Sequence, residues 1–92
     1  MAKAIITLKI MPESPDVDLA VLQEKALTLI ATFSGNDETK VTTEPVAFGL
    51  KSLNIIFVMD ESKGSADVLE EEIESLEGVM SCETTDVRRA IG

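Results

Sequence analysis

Residues 39 to 59 read as one continuous strand-forming stretch, far longer than the five or six residues of an ordinary strand, so the chain has to turn inside it. The breaks fall near Pro45 and Gly49, within Glu44-Pro45-Val46-Ala47-Phe48-Gly49-Leu50-Lys51-Ser52-Leu53-Asn54. A turn there makes Thr39 to Val46 and Leu50 to Met59 neighbouring antiparallel strands. It also puts Phe48, one of only three aromatic residues, in the turn itself. The glycine that follows can take positive φ and expose backbone, so an aromatic at this point is suited to entering a partner. The residues alone leave a second arrangement open, with the ring folded back over the sheet edge.

The flanking segments have clear periods. Ala4 to Ile10 alternates, with Ala4, Ile6, Leu8 and Ile10 on one side, the pattern of a strand with one buried face, and Met11 to Pro15 ends it. Asp16 or Asp18 then offers an N-cap to a helix whose stripe is Leu19, Leu22, Ala26, Leu29, Ile30 and Phe33, stopped by Ser34-Gly35-Asn36-Asp37. Along the strand Leu50 to Met59, Leu53, Ile55, Phe57 and Met59 share a face, and Ile56 and Val58 make the other face apolar in the middle, as in a central strand. After the polar loop Asp60 to Gly64, Ser65 caps a second helix marked by Leu69, Ile73 and Leu76 and ending at Gly78. Val79 to Val87 is a last, weaker strand, and Arg88 to Gly92 a tail. The order β-α-β-β-α-β, with right-handed crossovers, predicts an α+β ferredoxin-like sandwich: a four-stranded antiparallel sheet, strands 1 and 3 central, with two helices on one face.

Ninety-two residues with 45% hydrophobic and 27% charged content fit a single domain, residues 1–92, with one small core. Apolar runs of a few residues do not span a membrane, and the N-terminus lacks the long apolar region of a secretory signal, so a cytoplasmic protein is expected. The net charge of -9 argues against direct nucleic-acid binding, although Lys3, Lys9, Lys40, Lys51, Arg88 and Arg89 lie on or beside strands and one face is expected to be locally basic. Cys82 has no disulfide partner and is expected half-buried in its strand.

This fold hosts many activities, so residues must decide between them. Base stacking needs aromatics on the central strands, and here only Phe57 is near such a position, on the core side. The first loop carries Glu13, Asp16 and Asp18 and neither a cysteine pair nor an arginine- and glycine-rich anion cradle. With no histidine, no serine beside a base and no phosphate-binding glycine motif, neither catalysis nor a cofactor or metal is expected. Glu70-Glu71-Glu72 reads as the solvated side of the second helix.

Three segments in order, Met11-Pro12-Glu13-Ser14-Pro15-Asp16-Val17-Asp18, Pro45-Val46-Ala47-Phe48-Gly49-Leu50-Lys51-Ser52-Leu53 and Thr85-Asp86-Val87-Arg88-Arg89, closely resemble the archaeal-type translation elongation factor 1-beta family over essentially the whole chain. The resemblance implies a guanine nucleotide exchange factor, whose partner is the GTPase elongation factor 1-alpha. It implies partner-binding residues at Pro45, Ala47, Phe48, Gly49, Leu50 and Lys51, with Arg88 and Arg89. In the larger eukaryotic relatives the segment like Phe48-Gly49 projects into the GTPase, and a lysine near the C-terminus acts at its magnesium and phosphate site. This chain has Ala90-Ile91-Gly92 there, so positive charge would come from Arg88, Arg89 or Lys51, or the effect would be steric alone. The alternative from another class is a ferredoxin-like small-ligand or RNA-binding module acting without a GTPase.

Overall fold

The computed structural model describes residues 3–35, 38–63 and 66–90. The elements run β1 (Lys3–Pro12), α1 (Leu19–Ser34), β2 (Thr39–Pro45), β3 (Lys51–Asp60), α2 (Asp67–Glu74) and β4 (Val79–Ala90), with 3-10 turns at Ala47–Gly49 and Glu61–Lys63. All strand pairs are antiparallel in the order β2-β3-β1-β4, so β1 and β3 are central and the ferredoxin-like sandwich is as expected. Asn36, Asp37, Ser65 and the end of the tail, Ile91-Gly92, lie outside the described residues, and with them the expected capping by Ser65.

The period of two in β1 and β3 builds the core. Ile6 faces Phe57, Leu8 faces Ile55 and Ile10 faces Leu53 across the β1–β3 ladder, and these side chains are buried against Leu22, Ala26 and Ile30 of α1 and Leu69 and Ile73 of α2. Each large aliphatic or aromatic side chain so enclosed contributes about 1.5–3 kcal/mol. Phe57 is fully buried on this side, so the sheet offers no aromatic stacking platform there. Leu19, Leu29 and Phe33 pack against the core from the margins of the α1 stripe.

The opposite face is open and not basic. Lys3, Lys9, Lys40 and Arg88 do lie on it, but Lys3 pairs with Asp60 and Lys9 with Glu83, while Glu44 and Asp86 share the same side. Alternation puts Lys51 and Arg89 on the helix side instead, because Lys51 is in phase with Leu53 and Arg89 lies opposite Ala4. Among the described residues no helix is long and apolar enough to cross a membrane.

Element ends differ from expectation for local reasons. Asp18 is the α1 cap, its Oδ1 accepting from the amides of Ala20 at 3.0 Å and Val21 at 3.4 Å, whereas the Asp16 amide donates to Ser14 Oγ within the loop. β1 continues through Pro12, which sits at a register shift facing Val79, a place where a missing N–H does not break the ladder. β4 runs on through Arg88 and Arg89 to Ala90, so the expected tail is strand as far as Ala90. Two register shifts leave Thr85 and Met80 without partners and interrupt the alternation, which is why the strand reads as weak. α2 stops at Glu74, short of Gly78; the Leu76 amide donates to Ile73 O at 3.0 Å and that of Val79 to Leu76 O at 3.3 Å, so tight turns carry Leu76 onto the core without α-helical bonding. Gly78, at φ +91, accepts from the Glu13 amide at 2.9 Å, and a Cβ there would stand 3.2 Å from Val17 Cγ1. The first loop is thereby fixed at the end of the sheet where β3 begins.

Candidate functional site

The β2–β3 ladder ends with Pro45 opposite Lys51, leaving Val46 to Leu50 as the turn. The Val46 amide donates to Leu50 O at 2.8 Å, and the Leu50 amide to Ala47 O at 3.3 Å. Between these closures the backbone takes two left-handed residues in succession, Phe48 at φ 63, ψ 31 and Gly49 at φ 75. Gly49 does this at little cost; Phe48 is the one described residue other than glycine with positive φ. For a bulky side chain such a backbone costs of order 1–3 kcal/mol. The strain leaves the ring 93% exposed, so the arrangement folded back on the sheet edge is not adopted.

Ala47, Gly49 and Lys51 are exposed beside it, and Pro45 is exposed at the base. Leu50 is half-buried and anchors the turn. Gly49 and Lys51 also border a cleft of about 230 Å³ against the first loop, formed with Pro12, Ser14, Pro15, Val17 and Leu19. No sequence signal marks these residues as neighbours of the hairpin; the Glu13–Gly78 bond sets the first loop at this end of the sheet.

Arg88 and Arg89 are not part of this cluster. Arg88 lies opposite Ile5, which faces Val58, seven residues along β3 from Lys51, so the two groups are roughly 23 Å apart along the strands at about 3.3 Å per residue. They also diverge in direction. Arg88, on the open face, donates from Nε to Asp86 Oδ2 at 2.9 Å. Arg89, on the helix side, grips Glu61 through two bonds, Nε to Oε1 at 2.7 Å and Nη2 to Oε2 at 3.3 Å, and this contact raises its pKa further. Both remain largely exposed.

Two buried polar groups underlie the hairpin and carry no sequence signature. Ser52 is fully enclosed on the open face of β3, and its hydroxyl has no hydrogen-bond partner; Asn54 Nδ2, two residues on, is likewise buried and unpaired. Cys82 is more buried than expected, at 4% exposure, facing Ile10. Burial, reinforced by the charges of Glu70, Glu74 and Glu83, pushes its thiol up to about 12.

The molecule is thus a small ferredoxin-like sandwich with a strained aromatic tip held out in solvent. The family of the EF-1 guanine nucleotide exchange domain matches residues 5–90. Among relatives, the elongation factor 1-beta of Methanothermobacter thermautotrophicus is 42% identical over 89 residues, covering 97% of this chain and 98% of that protein. The elongation factor 1-beta of Methanobrevibacter smithii is 45% identical over 89 residues with the same coverage, and that of Staphylothermus marinus 37% identical over 90 residues, covering 97% and 98%. The chain belongs to the EF-1 guanine nucleotide exchange domain family.

Proposed function

We propose that residues 1–92 act as a single guanine nucleotide exchange domain of the elongation factor 1-beta type, working in the cytoplasm on the GTPase elongation factor 1-alpha. Family membership supports exchange activity, and the observation that carries the choice of site is the Phe48 ring, presented on a left-handed backbone at 93% exposure. The factor works by binding, without making or breaking a bond. It holds the nucleotide-free GTPase more tightly than the loaded one, and by reciprocity factor and nucleotide weaken each other's binding.

The energetic scale is sufficient. A thousandfold faster release corresponds to roughly 4 kcal/mol. Burying one phenylalanine in a pocket present only in the open GTPase contributes about 1.5–3 kcal/mol, and contacts from the exposed Pro45, Ala47, Gly49 and Lys51, backed by Leu50, add the remainder. Arg88 and Arg89 serve as a second contact, for acidic groups of the GTPase, from the far end of the sheet. They bring positive charge to the GTPase. The test is release of a fluorescent GDP from elongation factor 1-alpha in excess unlabelled nucleotide. Acceleration by this chain supports the reading; release at the intrinsic rate rejects it.

A further inference from the structure

A groove of about 350 Å³ opens between the first turn of α2 and the outer half of β4. It lies at the end of the sheet opposite Phe48, since Ala4 and Met59, which pair with one another, line it. Its floor and wall are apolar, from Ala4, Ile6, Met59, Ala66 and Val87. Its polar lining is acidic: Glu61, Asp67 and Glu70, with Thr84 beside them. Glu70 is thus not on the solvated side of its helix, where its neighbours Glu71 and Glu72 are exposed; it is half-buried, and its Oε1 accepts from the Thr84 hydroxyl at 2.9 Å. Among the described residues lining the groove there is no cation.

This combination selects one chemistry. An anion is repelled by the carboxylates of Asp67 and Glu70, the charge of Glu61 being offset by Arg89, and a wholly apolar group strips water from them without replacing it, which is unfavourable. A side chain with a methylene stem and a cationic head satisfies both halves at once. The protein already contains an example at the margin, where the guanidinium of Arg89 is held by Glu61. We propose that the groove receives a single arginine or lysine side chain of a protein partner, its stem against Ile6, Met59 and Val87 and its cation at Glu70, in the negative field of Asp67. A protein segment fits better than a free amine because the apolar lining reaches solvent at the rim of the groove, where Val87 is 62% exposed. A neighbouring side chain of a partner segment covers it, and a small amine does not.

The groove is testable without any GTPase, so its failure is separate from failure of exchange. The methyl groups of Ile6, Met59 and Val87 are followed by NMR while the protein is titrated with N-acetyl-Leu-Arg-Leu-amide, with N-acetyl-Leu-Gln-Leu-amide, and with agmatine. The arginine peptide is expected to shift these three residues and to bind more tightly than either control. Glu70→Gln, whose amide oxygen still accepts from Thr84, is expected to weaken it about two- to fivefold while leaving the unfolding midpoint unchanged. Equal response to the glutamine peptide, equal affinity for agmatine, or shifts confined to the outer side of α2 would each overturn the proposal.

Discussion

Pro45 stands opposite Lys51 at the last rung of the β2–β3 ladder, and beyond this pair Phe48 and Gly49 both adopt left-handed backbone at φ 63 and 75. Beyond that rung the tip holds an unfavourable conformation with its ring in solvent.

That conformation carries a stability cost independent of any partner. Phe48→Asn, a residue that tolerates left-handed backbone, is expected to raise stability by about 1 kcal/mol in urea unfolding, with the m-value unchanged. No gain would mean that the tip is not strained.

Ser52 presents the opposite situation to a typical buried serine, because its enclosed hydroxyl bonds to nothing. Removing an unsatisfied buried group relieves a desolvation penalty of about 1–3 kcal/mol, so Ser52→Ala is expected to leave stability unchanged or increase it. A loss above about 1 kcal/mol would mean that the hydroxyl is satisfied in solution, by a water held between Ser52 and Asn54.

Cys82 is predicted to resist thiol reagents at pH 8 until the protein unfolds. Its thiol is pushed from an ordinary 9.0 up to about 12 by burial first and by Glu70, Glu74 and Glu83 next. The sign follows from the raised folded value. The neutral thiol costs the fold nothing below about pH 9; above it the unfolded chain ionises while the folded chain does not, so stability falls as pH rises toward 12. Rapid labelling of the native protein, or a Cys82→Ser variant with the same loss at high pH, would contradict this.

Arg88 and Arg89 are exposed and paired only with surface carboxylates, so Ala at both positions is expected to change stability by less than about 1 kcal/mol. Affinity for the GTPase should nevertheless fall, and the fall should shrink as ionic strength rises from low salt toward 0.5 M, where the Debye length drops to a few ångströms. Equal affinity for variant and parent at every salt concentration rejects a contact from that end of the sheet.

Legibility in the sequence followed the regularity of the backbone. The alternation of Ala4, Ile6, Leu8 and Ile10 and the stripe through Leu22, Ala26 and Ile30 were readable because each obeys one period over its full length. The extent of β4 was not, since the unpaired Met80 and Thr85 shift the phase twice. The turn position and Phe48's place in it followed from strand length, but its outward direction did not. That depends on the backbone dihedrals of a single residue. Which candidate residues share a place could not be read either: Lys51 and Arg89 fall on the helix side and Arg88 on the open face only once the register is fixed. Glu70, one of a run of like charges, is set apart by a long-range bond to Thr84 that no local pattern encodes.

The outward Phe48 ring is expected to drive nucleotide release. Release of fluorescent GDP from elongation factor 1-alpha should be compared for the parent chain and Phe48→Ala, with folding of the variant verified by its unfolding midpoint. Losing about 1.5–3 kcal/mol of burial corresponds to a roughly tenfold to hundredfold smaller stimulation at subsaturating factor. A folded Phe48→Ala protein that stimulates release as well as the parent would contradict the account.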